Sequence, residues 1–132
     1  MPHSTTYVWI LLALDVVGRT SPASLDRIIG AADCLNKDIP SHSDLQTAIG
    51  WLLQEGFIHR QRRDYGLTQL GRDLMTEVKS QATKPFDQWD VLKKRFASAG
   101  APIELADISE VEWQQAYDTY CTRGFRMNMG IG

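Results

Sequence analysis

The sequence predicts a mainly α fold with one small β-hairpin, and three observations between Ser41 and Met75 carry that prediction. Ser41-His42-Ser43-Asp44 has the Ser-x-x-Asp form of a capping box, which satisfies free backbone N–H groups at a helix start. Leu45, Ala48, Ile49, Leu52 and Leu53 then fall on one helical stripe, and Gly56 supplies the left-handed residue that commonly closes a helix. After Gly56, Phe57-Ile58-His59-Arg60-Gln61-Arg62 turns from apolar to basic, and Arg63-Asp64-Tyr65-Gly66 holds the Asp and Gly of a hairpin turn.

Taken from the start, Ser4-Thr5-Thr6 can cap a first helix that runs to Val17 and ends at Gly18. Its residues from Val8 to Val17 leave hardly any polar face, so it must be covered on more than one side, by the C-terminal helices or by a second subunit. Thr20-Ser21-Pro22 is expected to open a second helix, with Leu25, Ile28, Ile29, Ala32 and Leu35 inward and an end near Asn36. Lys37-Asp38-Ile39-Pro40 connects it to the Ser41 helix, with Ile39 plugging the core between the two. Thr68 can cap the helix after the hairpin, whose buried stripe is predicted to be Leu70, Leu74 and Val78.

Past Pro85 a helix over 86–99 spaces Phe86, Trp89, Leu92 and Phe96 three or four residues apart. Ser109-Glu110-Val111-Glu112 is a second capping box, heading a helix with Trp113, Ala116, Tyr117 and Tyr120 on one stripe. These aromatic side chains either pack on each other and on the first helix or form a dimerisation surface. Arg123 to Gly132, with its glycines and methionines, is expected as a mobile or loosely docked tail.

Two helices joined by a connection longer than the usual one, then a hairpin and a further helix, give the outline of a winged helix-turn-helix. The run Leu52-Leu53-x-x-Gly56-Phe57-Ile58, continued by Tyr65-Gly66-Leu67-Thr68-x-x-Gly71-x-x-Leu74, resembles the winged helix-turn-helix of bacterial transcription regulators of the PadR and MarR kind. The resemblance spans roughly residues 6–79. It implies a winged core in residues 1–83 and a C-terminal helical extension in 84–132, which packs on the core or forms a homodimer interface.

DNA recognition by such a fold needs a helix that touches base edges and cations that touch phosphates. The outer face of the Ser41 helix offers His42, Ser43, Gln46, Thr47, Gly50 and Gln54, of which His42, Ser43, Gln46 and Thr47 are the expected base-reading residues. Yet Ser41 to Gly56 holds Asp44 and Glu55 and no Lys or Arg. Trp51 lies off the buried stripe, where an exposed indole would suit a protein contact better than a base. The hairpin is basic: Arg60, Arg62 and Arg63 against Asp64 suit phosphate contacts, although a solvated hairpin would carry the same charges. Lys93-Lys94-Arg95 reads as the solvated side of an amphipathic helix.

Composition narrows the classes further. A hydrophobic content of 43% with 23% charged residues excludes wholesale disorder, and a net charge of −2 argues against indiscriminate polyanion binding. Cys34 and Cys121 lack the short spacing of a metal knuckle or redox pair, which fits free thiols in a reducing cytoplasm. The apolar run Tyr7 to Leu14 meets Asp15 and falls short of the roughly 20 residues that cross a bilayer, so a cytoplasmic protein without membrane contact is expected. His3, His42 and His59 are scattered, no Gly-rich phosphate loop follows a strand, and Ser41-His42-Ser43 serves better as a helix start than as a nucleophile with its base. Asp87 and Asp90 can share a helix face, a pairing common at solvated positions. Neither an enzyme nor a cofactor is expected. Two functions follow: a regulator that binds duplex DNA, or a winged-helix module that binds a protein partner in place of DNA.

Overall fold

The computed structural model describes residues 3–128, with side chains described through Arg123. Six helices and one antiparallel hairpin follow in the order α1 (His3–Val17), α2 (Leu25–Asn36), α3 (His42–Gln54), β1 (Ile58–Gln61), β2 (Asp64–Leu67), α4 (Gln69–Gln81), α5 (Pro85–Arg95) and α6 (Glu110–Asn128). The mainly α class with a small hairpin is therefore as anticipated. Among the described residues no helix is long and apolar enough to cross a membrane.

The local signals act as their chemistry demands. Ser41 Oγ accepts from Asp44 N while Asp44 Oδ2 accepts from Ser41 N, each at 3.0 Å, and Gly56 closes the helix with φ +79°. Thr68 accepts from Gly71 N at 3.1 Å and donates to Gly56 O at 2.6 Å, so the start of α4 is tied to the end of α3. Ser109 likewise accepts from Glu112 N at the head of α6.

Several boundaries differ from expectation, each for a local reason. Thr20 to Ala23 does not open α2; Ser24 is the N-cap, because Ala23 exchanges both backbone hydrogen bonds with Tyr65 and adds a one-residue third strand to the hairpin. The hairpin turn is Arg62-Arg63, since Gln61 pairs with Asp64, and Arg62 takes φ +59° with its carbonyl held by Arg60 Nε at 2.7 Å. Ser4 lies inside α1 and is buried. Leu70 faces solvent, and α4 turns Gly71, Leu74, Met75 and Val78 inward. Helix α5 ends at Arg95, and Arg123 to Asn128 continue α6 where a tail was anticipated; residues 129–132 lie outside the described range.

Helix α1 is the axis of the core. It packs against α2, α3, α5 and β2, and Tyr7, Ile10, Leu11 and Leu14 are fully buried. Its apolar girth is thus covered by its own chain, and the step from that girth to a second subunit loses its ground. Trp9 Nε1 donates to Ala32 O at 2.8 Å, which satisfies the indole inside the α1–α2 contact. Asp15 is a buried carboxylate paired with Lys79 Nζ at 2.6 Å and Arg19 Nη1 at 2.8 Å, tying α1 to α4.

Trp51 is not a surface residue. It is 6% exposed, stacked on Tyr7 with centroids 4.5 Å apart and met edge-on by Phe96 at 4.8 Å, with Phe57 beside both. Truncating a buried aromatic removes its contacts and leaves a void, so Trp51→Ala is expected to lower stability by about 3–5 kcal/mol. Urea unfolding followed by circular dichroism measures this, and an unchanged midpoint would show that the cluster contributes nothing.

Helix α6 docks on α2, where Tyr120 donates to Asp33 Oδ2 at 2.5 Å. That bond, with burial, pushes the Tyr120 phenol up to about 12 from an ordinary 10.0. A phenol raised on folding contributes stability that is intact below its unfolded value and is lost as pH rises through its folded one. Stability should therefore fall between about pH 10 and 12. Tyr120→Phe should flatten that fall without abolishing it, because burial also raises Tyr7 and Tyr65. Urea midpoints for the two proteins across this window decide the point, and identical slopes would remove Tyr120 from the account.

Candidate functional site

The outer face of α3 was expected to stand open, and it does not. Between α5 and α6 the chain from residue 103 to residue 108 forms an irregular strap, bent at Ile103 and Glu104 and turned at Asp107 where Ile108 N–H donates to Ala106 O at 2.9 Å, and it lies along α3 from its C-terminal to its N-terminal end. The contacts follow one helical row spaced by four residues. Gln54 Oε1 accepts from Ile103 N at 2.7 Å, and Gln46 O accepts from Ala106 N at 2.9 Å. Gln46 Nε2 donates to Ile108 O at 3.1 Å, and His42 Nε2 lies 2.6 Å from that same oxygen, a donor distance that assigns the ring proton to Nε2.

Gly50 is the fourth member of the row. A Cβ there would stand 2.5 Å from Glu104 O and 3.0 Å from Ala106 N, so backbone occupies the space that any other residue would need. Ala106 and Ile108 of the strap are buried, while Ile103 is 88% exposed and Leu105 57%.

The expected base-reading residues divide accordingly. His42 and Gln46 are engaged by the strap and do not face outward. Ser43 is exposed and Thr47 half-buried at the margin of the row. Trp51 belongs to the core, so its proposed role as a surface contact for a partner is withdrawn. With no family model, curated protein or solved structure matching the chain, the site rests on its geometry.

The hairpin arginines divide too. Arg60 is turned toward the strap, with Nη1 4.0 Å from Asp107 Oδ2 and its guanidinium carbon 5.7 Å from the centroid of the Tyr65 ring. Arg62 and Arg63 at the turn are exposed and make no ion pair among the described residues. Burial raises the Tyr65 phenol above its usual range, Arg60 pulls it back, and the carboxylates of Glu112 and Asp107 push it up. Acidic side chains of the strap and of α6 therefore reach the flank of the hairpin.

From Ile103 to Glu112 the chain carries Glu104, Asp107, Glu110 and Glu112 and no Lys or Arg, which adds to Asp44 in α3 and Glu55 at its C-cap. The covered face is acidic. Among the described residues no group of three or more His, Cys, Asp or Glu side chains gathers as a metal site. Sequence reasoning missed the strap because Ile103 to Ile108 has neither helical nor regular strand periodicity. The available signal was Gly50, a small residue in mid-helix with no turn to explain it.

Gly50→Ala is expected to lift the strap, with a stability loss of about 1–3 kcal/mol of the kind caused by overpacking. Hydrogen exchange at the Ala106 amide reads the lifting directly, and unchanged protection there would contradict the close approach.

Proposed function

We propose that this chain is a winged-helix protein-interaction module whose third helix does not read DNA. The observation that carries this reading is the strap seated along His42, Gln46, Gly50 and Gln54. A recognition helix must bring its side chains to base edges in the major groove, and here backbone lies between that row and any duplex. Electrostatics points the same way. A duplex approaching α3 would meet the carboxylates of Glu104 and Asp107 before it met a cation, and phosphate contacts supply most of the affinity of DNA binders.

One observation favours the second reading, a DNA-binding transcription regulator. Arg62 and Arg63 project from the hairpin without an ion-pair partner among the described residues, as a wing that grips phosphates would. In that reading Ser43 and Thr47 remain near the groove and the strap has to move.

Fluorescence anisotropy with a mixed-sequence duplex, titrated with salt, separates the two. The interaction-module reading predicts binding no tighter than the roughly 10⁻⁴–10⁻⁶ M of non-specific association. Tighter binding that weakens steeply with salt, with the slope flattened by replacing Arg60, Arg62 and Arg63 with Ala, would overturn it in favour of the regulator.

A further inference from the structure

We infer that the outer face of α5 pairs with the same face of a second copy of this chain, antiparallel and about a two-fold axis. The inference is independent of the interaction-module reading above. It begins with how α5 is seated. The helix lies on α1 and α4 with Leu92, and Phe96 at its C-cap, buried beneath it. Arg95 reaches Glu77 of α4 at 3.2 Å, which marks that flank as the inner one. The opposite row is Phe86, Asp90, Lys93 and Ala97, spaced four, three and four residues apart, and all four are exposed.

Phe86 is the anomaly in this row. Its side chain belongs to the most apolar class, yet it stands 84% exposed. Beside it a hollow of about 290 Å³ opens between α1, α2 and α5, with Leu12, Leu35 and Trp89 in its lining. An exposed ring next to an apolar hollow makes a patch of the kind that association covers. Along the same row, neither Asp90 nor Lys93 has an ion-pair partner among the described residues.

The order of the row selects the occupant. When two copies of α5 lie antiparallel with the two-fold axis level with the Val91–Leu92 peptide, Asp90 comes opposite the partner's Lys93 and Phe86 opposite the partner's Ala97, and the converse holds by symmetry. Each charge meets its opposite, and each large side chain meets a small one. Asp87 and Lys94 beside the row repeat the same segregation, acid toward the start of the helix and base toward its end. A parallel pairing would set each charge against its own kind and is disfavoured. Exposed ion pairs contribute little net free energy, so covering Phe86 holds the two copies together while the charges fix their register.

Sedimentation equilibrium of the full chain from about 10 μM to 1 mM should show a concentration-dependent monomer–dimer equilibrium. Amide chemical shifts that move with concentration should map to residues 86–97. Asp90→Lys and Lys93→Asp each place like charges opposite one another and should weaken the dimer by about tenfold or more. The double variant Asp90→Lys/Lys93→Asp exchanges the two signs and should restore the affinity to within about threefold of the parent. An equimolar mixture of the two single variants should likewise associate more tightly than either alone, since opposite charges then meet across the axis. Phe86→Ala should weaken the dimer by about tenfold as well. All these side chains are exposed, so helical circular dichroism should be retained in every variant. A monomer at the top of the concentration range, indifference to the single variants, failure of the exchanged double to recover, or shifts confined to other elements would each overturn the pairing.

Discussion

A hydrogen atom in place of a side chain at residue 50 governs how the C-terminal third of this protein is arranged. Because Gly50 presents bare backbone in the middle of α3, the chain leaving α5 can lie directly on the helix, and His42, Gln46 and Gln54 supply polar groups along the same helical row on either side of it. Each such bond contributes modestly, about 0.5–1.5 kcal/mol net. Their alignment along a single row gives the strap one register, and that register delivers Ser109 to its capping position and α6 to the groove beside α2. Asp107 is brought to Arg60 by the same path.

Behind the strap, the aromatic cluster of Tyr7, Trp51, Phe57 and Phe96 joins α1, α3, the approach to β1 and the end of α5. Trp51 is off the main buried stripe of α3 because that helix is covered from two directions, by α1 on one side and by the C-terminal segment on the other. A tryptophan suits such a seam, since it fills a wide gap with few rotatable bonds. The cluster and the strap therefore cooperate. One anchors Phe96 and the residues after it, and the other carries the chain onward across the face of α3.

The charges sort along these same lines. The hairpin holds the basic residues, but Arg60 is spent on Asp107 and on the ring of Tyr65, which leaves Arg62 and Arg63 as the cations at the turn. Strap and α6 bring carboxylates up to the flank of Tyr65, as the upward push of Glu112 and Asp107 on its phenol reflects. Cations thus stand at the tip of the hairpin, and carboxylates and exposed aliphatic side chains along the strap.

Helix ends were legible in the sequence because they are set by neighbours in the chain: Ser41 with Asp44, Ser109 with Glu112, Thr68 and Gly56 all do locally what their chemistry requires. The inward stripes of α2 and α3 and the presence of the hairpin were legible for the same reason, through periodicity and turn residues. Long-range pairings were not. That Ala23 is a strand residue depends on Tyr65, that Leu70 is exposed depends on which face of α4 meets the hairpin, and that Trp51 is core depends on Phe96. The sequence by itself determined the mainly α class, the hairpin and its basic tip. Tertiary structure alone decided that the outward row of α3 is closed, because the atoms that close it sit some sixty residues away in a strap without periodicity and are brought there by packing that local pattern does not encode.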